Sequence, residues 1–225
     1  MRPYGCSQRL GVYSKSCLWF VVLAERTNLM KICILMGSPR KNGNTAQCLK
    51  EFCDELEHLG HTAAVYWLYD YHLEPCYACR GCQQDWEHFA CVRQDDMALL
   101  AQAVLEADLL VLATPIYSWY CTGPMKNVLD RFVYGFNKYY GDKKGPALWA
   151  GKKVALFVTC GYKPAHGADL FEEGIRRYCK HSQLQYVGLF AERHLGYNTV
   201  FMDDKKAAHA RQFAREVTEE EGKAL

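Results

Sequence analysis

The chain has 225 residues, half of them hydrophobic and 23% charged, with a formal net charge of +2. This balance suits one globular domain with a full core and gives no electrostatic case for a nucleic-acid partner. No stretch approaches the roughly 20 consecutive apolar residues of a membrane-spanning helix, so no membrane partner is expected; the nearest run, Cys17–Ala24, is far shorter.

Residues 1–29 read as an arm outside the domain. Arg2, Arg9 and Lys15 precede the apolar run as in a signal peptide, but Ala24-Glu25-Arg26-Thr27 offers no small-x-small cleavage site. The domain is expected to begin at Met30-Lys31 and to occupy 30–225. The twelve cysteines do not resemble a disulfide framework. Cys33, Cys48 and Cys53 fall at apolar-patterned positions, where a free thiol acts as a small hydrophobe, and a reducing cytoplasm is the expected compartment.

From Lys31 onward, short apolar runs alternate with helical patterns. Ile32–Met36 is continuously apolar, as in a strand buried on both faces. A helix follows with Ala46, Leu49, Phe52, Cys53, Leu56 and Leu59 on one face, Asn44 as N-cap, Gln47 three residues on, and Gly60 at its end. Ala63–Leu68 reads as strand two. Cysteine-rich residues 75–91 interrupt the rhythm, which resumes with a helix (Met97, Leu100, Ala101, Val104) and strand three, Leu109–Ala113. Pro124 opens the next helix, Val154–Val158 is strand four, Ala168–Cys179 a helix, Gln185–Ala191 strand five, and Asp203–Val217 a last helix. Five strands alternating with helices predict right-handed crossovers and an α/β doubly wound parallel sheet with helices on both faces. Ligands of such sheets bind beyond the carboxyl ends of the strands. The loops after strands one, three and four are therefore the candidates for function.

The loop after strand one reads Gly37-Ser38-Pro39-Arg40-Lys41-Asn42-Gly43-Asn44-Thr45. Hydroxyls, an arginine and a helix N-terminus within nine residues suit a dianionic phosphate. A bare polar turn would need neither the Ser-x-Arg nor a second glycine. The loop is neither a Walker motif nor G-x-G-x-x-G, so a dinucleotide pyrophosphate is not expected here.

This segment resembles the phosphate loop of the flavodoxin-like NAD(P)H-dependent FMN reductases, and within that superfamily the branch containing iron–sulfur flavoproteins. The likeness continues through Ala113-Thr114-Pro115-Ile116-Tyr117-Ser118-Trp119-Tyr120, Pro124-Met125-Lys126 and Leu129-Asp130-Arg131, over about residues 30 to 217. It implies a five-stranded sheet of order 2-1-3-4-5, FMN as cofactor, NAD(P)H as co-substrate, a second electron acceptor, and a homodimer or homotetramer. Ser38, Arg40, Asn42, Asn44 and Thr45 would hold the phosphate. Pro115, Ile116, Tyr117 and Ser118 would underlie the flavin ring, and Cys160 and Gly161, after strand four, would close over it. Trp119 and Tyr120 are read equally as flavin contacts or as packing for the following helix.

No side-chain nucleophile or acid–base pair is required, because a flavin carries the redox chemistry itself. Lys126, Asp130 and Arg131 are read as surface or interface charges, and His166, His181 and His194 as structural. The segment Tyr134–Tyr140 is read as a lid or a dimer arm.

Cys76, Cys79 and Cys82 form C-x2-C-x2-C, with Cys91 eight residues on. That spacing suits thiolate ligation of an iron–sulfur cluster or zinc. The resemblance points to [4Fe–4S], but the last interval is longer than in the iron–sulfur flavoproteins and contains Trp86, His88 and Phe89. A packed or redox-active thiol loop is the competing reading. Two functions follow: an FMN-dependent NAD(P)H oxidoreductase reducing a quinone, a nitro- or azo-compound or a protein, and an iron–sulfur flavoprotein acting as an electron carrier.

Overall fold

The computed structural model describes residues 29–196 and 198–219, so the expected arm lies outside the described residues except for Leu29. In chain order the elements are β1 (Lys31–Met36), α1 (Asn44–His58), β2 (Thr62–Trp67), α2 (Met97–Glu106), β3 (Leu109–Pro115), α3 (Gly123–Phe136), β4 (Lys153–Cys160), α4 (Pro164–Gly167), α5 (Asp169–Ser182), β5 (Gln185–Arg193) and α6 (Asp204–Thr218). The strands pair in parallel in the order β2-β1-β3-β4-β5, with Ile34 beside Val65 and Val111, and Val111 beside Ala155. This is the flavodoxin-like sheet that the resemblance implies.

Strand periodicity explains the three layers. Alternate side chains point to opposite faces, so Cys33, Leu35, Leu110, Leu112 and Leu156 pack with apolar residues of α2, α3 and α5. Their neighbours Ile32, Ile34, Val111, Ala113 and Phe157 pack with α1 and α6. The central strand β3 is buried along its whole length. β5 carries a register shift opposite Val154/Ala155 and places Gly188 at φ 152°. A Cβ there would stand 3.2 Å from the Phe213 ring, so glycine lets α6 pack close.

Three expectations change. α1 begins at Asn44 with Gly43 as its N-cap, and no side-chain hydrogen bond caps it; Gln47 donates instead to the Asn42 carbonyl at 3.1 Å. Arg131 is a core residue, 2% exposed, because the long cysteine loop folds over that face of α3 and brings Asp95 to it. The Tyr134–Tyr140 segment is anchored: Phe136 packs on Trp149 at 4.6 Å between centroids, and Asn137 pairs with Ala147.

Candidate functional site

β1, β3 and β4 end together at the carboxyl edge of the sheet, where the strand order reverses. Gly37 donates to the Ala113 carbonyl at 2.7 Å and accepts from Thr122 Oγ1 at 2.7 Å, fastening the end of β1 to β3 and to the start of α3. A Cβ on Gly37 would come within 2.8 Å of Thr122 Oγ1, so no larger residue fits this crossing. Beyond it lies a cleft of about 580 Å³, lined by Arg40, Asn44, Pro115–Trp119, Thr159–Tyr162, Gly167 and His194.

One end of the cleft is built from the start of α1. Thr45 Oγ1 and Thr159 Oγ1 lie 2.7 Å apart and are buried, which ties the first turn of α1 to the end of β4. Ser38 is also buried, and its Oγ accepts from the Arg40 amide at 3.2 Å, folding the loop back on itself. The first amides of a helix have no intrahelical acceptor, and no side chain supplies one here. Amides in that condition, with Arg40 beside them, fit a phosphate dianion. Asn42 instead borders a separate groove with Lys41 and Trp67.

The other end of the cleft is apolar and aromatic. Tyr117 and Tyr120 exchange backbone hydrogen bonds of 2.8 and 3.0 Å across a two-residue turn, with Ser118 at φ 50° and Trp119 at φ 66°. Two successive left-handed residues define the tight hairpin turn that normally calls for Asn-Gly. Here it displays Trp119, whose indole donates to the His166 carbonyl at 3.1 Å and whose ring stacks on Tyr162 at 5.8 Å. The loops after β3 and β4 thus meet across the cleft. Cys160 is buried beneath them; its Sγ donates to the Tyr162 carbonyl at 3.2 Å, and burial pushes its pKa up, so it remains a neutral thiol. His194, read from sequence as structural, lines the cleft. A second depression of about 590 Å³ lies at the opposite end of the sheet beside Asp108 and Lys152, away from the switch point.

A third cavity, of about 210 Å³, is lined by Cys76, Cys79, Cys82 and Cys91 together with Arg80, Arg93 and Arg131. Gln83 holds the loop in place, donating to the Tyr134 and Asn137 carbonyls at 2.6 and 3.1 Å. Ala78, Arg80 and Ala90 adopt φ of 53°, 59° and 44°. Two of them directly precede Cys79 and Cys91, and Arg80 stands two before Cys82. Non-glycine residues in this region cost about 1–3 kcal/mol each and gather at functional sites. Among the described residues no three Cys, His, Asp or Glu side chains are grouped to hold a metal ion, so the four convergent donors that a lone zinc needs are not preformed. Besides the four thiols and three arginines, Tyr77, Tyr134 and Tyr140 line the cavity, and Arg131 Nε is buried there without a hydrogen-bond partner among the described residues.

A doubly wound sheet with an uncapped helix start after β1 and an aromatic platform after β3 defines a flavodoxin-like protein. Residues 30–175 match the NADPH-dependent FMN reductase family, and the chain belongs to it. FMN is the cofactor that this membership implies, and the loop and platform just described fit it. An iron-sulfur flavoprotein of Archaeoglobus fulgidus is 35% identical over 102 residues, covering 45% of this chain and 48% of that one. Another, from Methanosarcina thermophila, is 30% identical over 125 residues, covering 54% and 63%. The chain spans about half the length of the first of these curated relatives. Among solved structures, the fold is similar to an NAD(P)H:quinone oxidoreductase from Methanothermobacter marburgensis (TM-score 0.64, 17% identity, 84% of this chain and 94% of that one). It is also similar to an FMN-dependent NADH-azoreductase from Bacillus anthracis (TM-score 0.59, 13% identity, 84% and 97%). Among the described residues no helix is long and apolar enough to cross a membrane.

Proposed function

We propose that the chain is an FMN-dependent oxidoreductase that takes hydride from NAD(P)H and delivers the reducing equivalents to a second acceptor: a quinone, a nitro- or azo-compound, or a protein. Family membership and the cleft geometry support this reading. The observation that carries it is the uncapped start of α1, set beside Arg40 at one end of a cleft whose other end is an aromatic platform. Bound FMN supplies hydride acceptance at N5 and electron release to an acceptor. The protein's own part is to fix the phosphate with the loop after β1, to floor the ring with Pro115–Tyr117, and to restrict the approach with Trp119 and Tyr162. With one approach left between these loops, nicotinamide and acceptor occupy the same space in turn. Steady-state rates with NADH or NADPH and a soluble quinone should therefore give parallel double-reciprocal lines. Intersecting lines would mean that both substrates bind together and that the single approach is wrong.

A second reading, an electron carrier, is favoured by a different observation: four cysteines line one cavity, and the relatives it matches are named iron–sulfur flavoproteins. Cys76, Cys79, Cys82 and Cys91 would hold the cluster. In either role we infer a homodimer or homotetramer.

A further inference from the structure

The cavity of about 210 Å³ beneath the cysteine loop carries three arginines and three tyrosines in its walls, and no acidic side chain is among its lining residues. The three arginines are not equivalent. Arg93 pairs with Glu74 and Arg131 with Asp95, so two of the charges are answered by carboxylates that do not line the cavity. Among the described residues, no ion pair, hydrogen bond or ring contact engages the Arg80 guanidinium. Arg80 is also held at φ 59° and ψ 9°, a left-handed conformation that costs a non-glycine residue energy and gathers at functional sites. Arg131 adds a donor rather than a charge. Its two terminal nitrogens donate to Asp95 and to Cys91 Sγ, whereas its buried Nε has no partner among the described residues. A buried donor left unbonded is destabilising, and an acceptor within the cavity would relieve that cost. The remaining wall is aromatic: the Tyr134 and Tyr140 rings lie 4.7 Å apart between centroids, and Arg93 lies 4.2 Å over the Tyr77 ring.

We infer that this cavity is a binding site for a small aromatic carboxylate, its carboxylate taken by Arg80 and Arg131 Nε and its ring set among Tyr77, Tyr134 and Tyr140. One unanswered positive charge and one spare donor match a single carboxylate with two oxygens. Tyrosine walls favour a planar apolar body over a bare hydrated ion. The volume lies below the roughly 300 Å³ from which pockets take drug-sized molecules, so the occupant is small. The inference needs neither bound flavin nor a metal. It gives a different occupant to the cavity that the electron-carrier reading assigns to a cluster.

The test titrates the full, FMN-loaded chain with benzoate by calorimetry, with benzamide and acetate in parallel, in wild type, Arg80→Gln and Arg80→Lys. Iron is counted in the same preparations. Arg80 is exposed, so replacing it leaves the core intact. Benzoate should occupy one site. Benzamide should bind about tenfold or more weakly for want of the charge, and acetate more weakly for want of the ring. Arg80→Gln should bring benzoate down to the level of benzamide, and Arg80→Lys should restore part of the difference. Bound benzoate should also slow alkylation of Cys79 by iodoacetamide in wild type but not in Arg80→Gln, which locates it in this cavity. No saturable binding of benzoate, equal binding of benzamide or acetate, or protection of Cys79 that survives Arg80→Gln would overturn the inference. Iron held by these cysteines in the protein as isolated would overturn it too, in favour of the electron carrier. Reduction of the flavin by NAD(P)H is a separate measurement, so either reading can fail without the other.

Discussion

The hydroxyls of Thr45 and Thr159 meet at 2.7 Å across the base of the cleft, 114 residues apart in sequence. The contact joins the start of α1 at one end of the cleft to the strand end that leads into the Cys160–Tyr162 loop. Thr159→Val keeps the shape but leaves the Thr45 hydroxyl buried and unpartnered, a loss of about 1–3 kcal/mol. Urea unfolding should show that loss in the apo protein, and FMN should bind more weakly because the start of α1 is no longer held. An unchanged midpoint together with unchanged FMN affinity would show that the pair positions nothing.

Charged hydrogen bonds are worth about 1.5–3 kcal/mol each. Losing two phosphate contacts should therefore weaken binding by about a hundredfold or more. Riboflavin should bind that much more weakly than FMN in a fluorescence titration, and Arg40→Ala should narrow the gap by weakening FMN alone. Equal affinity of the unaltered protein for both flavins would remove the phosphate loop from the account.

Two ion pairs on α3 should behave oppositely. Asp95 and Arg131 have side chains only 1% exposed, whereas Lys126 and Asp130 lie in solvent. Removing one partner of a buried pair costs about 3–5 kcal/mol, and Asp95 also accepts from the Glu74 and Met97 amides. Asp95→Ala should thus unfold the protein at much lower denaturant, while Lys126→Ala should change stability by about 0.5 kcal/mol or less. Similar effects of the two substitutions would contradict the burial described here.

Burial pushes the Cys33, Cys48 and Cys179 thiols up to about 12 from an ordinary 9.0. The folded protein keeps protons there that the unfolded chain releases, so these groups stabilise it below pH 9 and lose that contribution as pH rises toward 12. Urea midpoints should be steady from pH 7 to 8.5 and fall above it, and Cys48→Ala should flatten the fall. Among the cysteines of the described residues, iodoacetamide at pH 8 should label the exposed Cys79 first and leave these three unmodified. Early labelling of Cys33 or Cys48 would show that the core opens.

The strands and the switch-point loops were legible because buried parallel strands write themselves as continuous apolar runs, and because the loop after β1 gathers hydroxyls, an arginine and two glycines within nine residues; the strand order came only from the family resemblance. Arg131 and Lys138 were not legible. Arg131 sits at a helical position that looks solvent-facing until the 75–96 loop folds over it, and no local pattern announces that Asp95 will lie against it. Lys138 falls in an aromatic segment that resembles a surface arm, and its burial depends on carbonyls about 50 residues away. Asn44 carried the signature of a cap, yet Gly43 takes that place and the helix start is left open. Local propensity favoured a side-chain cap at a position the fold leaves open toward the cleft. Thr159 heads the loop expected to close the cleft, yet nothing local announces its bond to Thr45; His194 gave no signal of its own, since a lone histidine is commonplace, and only the end of β5 brings it to the cleft.

The central claim, that the cleft serves hydride transfer from a nicotinamide, is tested most directly by mixing the FMN-loaded protein with NADH or NADPH in the absence of air and an acceptor. The account predicts that one nucleotide bleaches the flavin absorbance in a single two-electron step, that a quinone added afterwards restores it, and that Tyr117→Ala slows the bleaching or loosens FMN whereas Lys126→Ala does neither. A flavin that neither nucleotide bleaches, but that a one-electron donor reduces, would contradict the oxidoreductase reading and leave the electron carrier in its place.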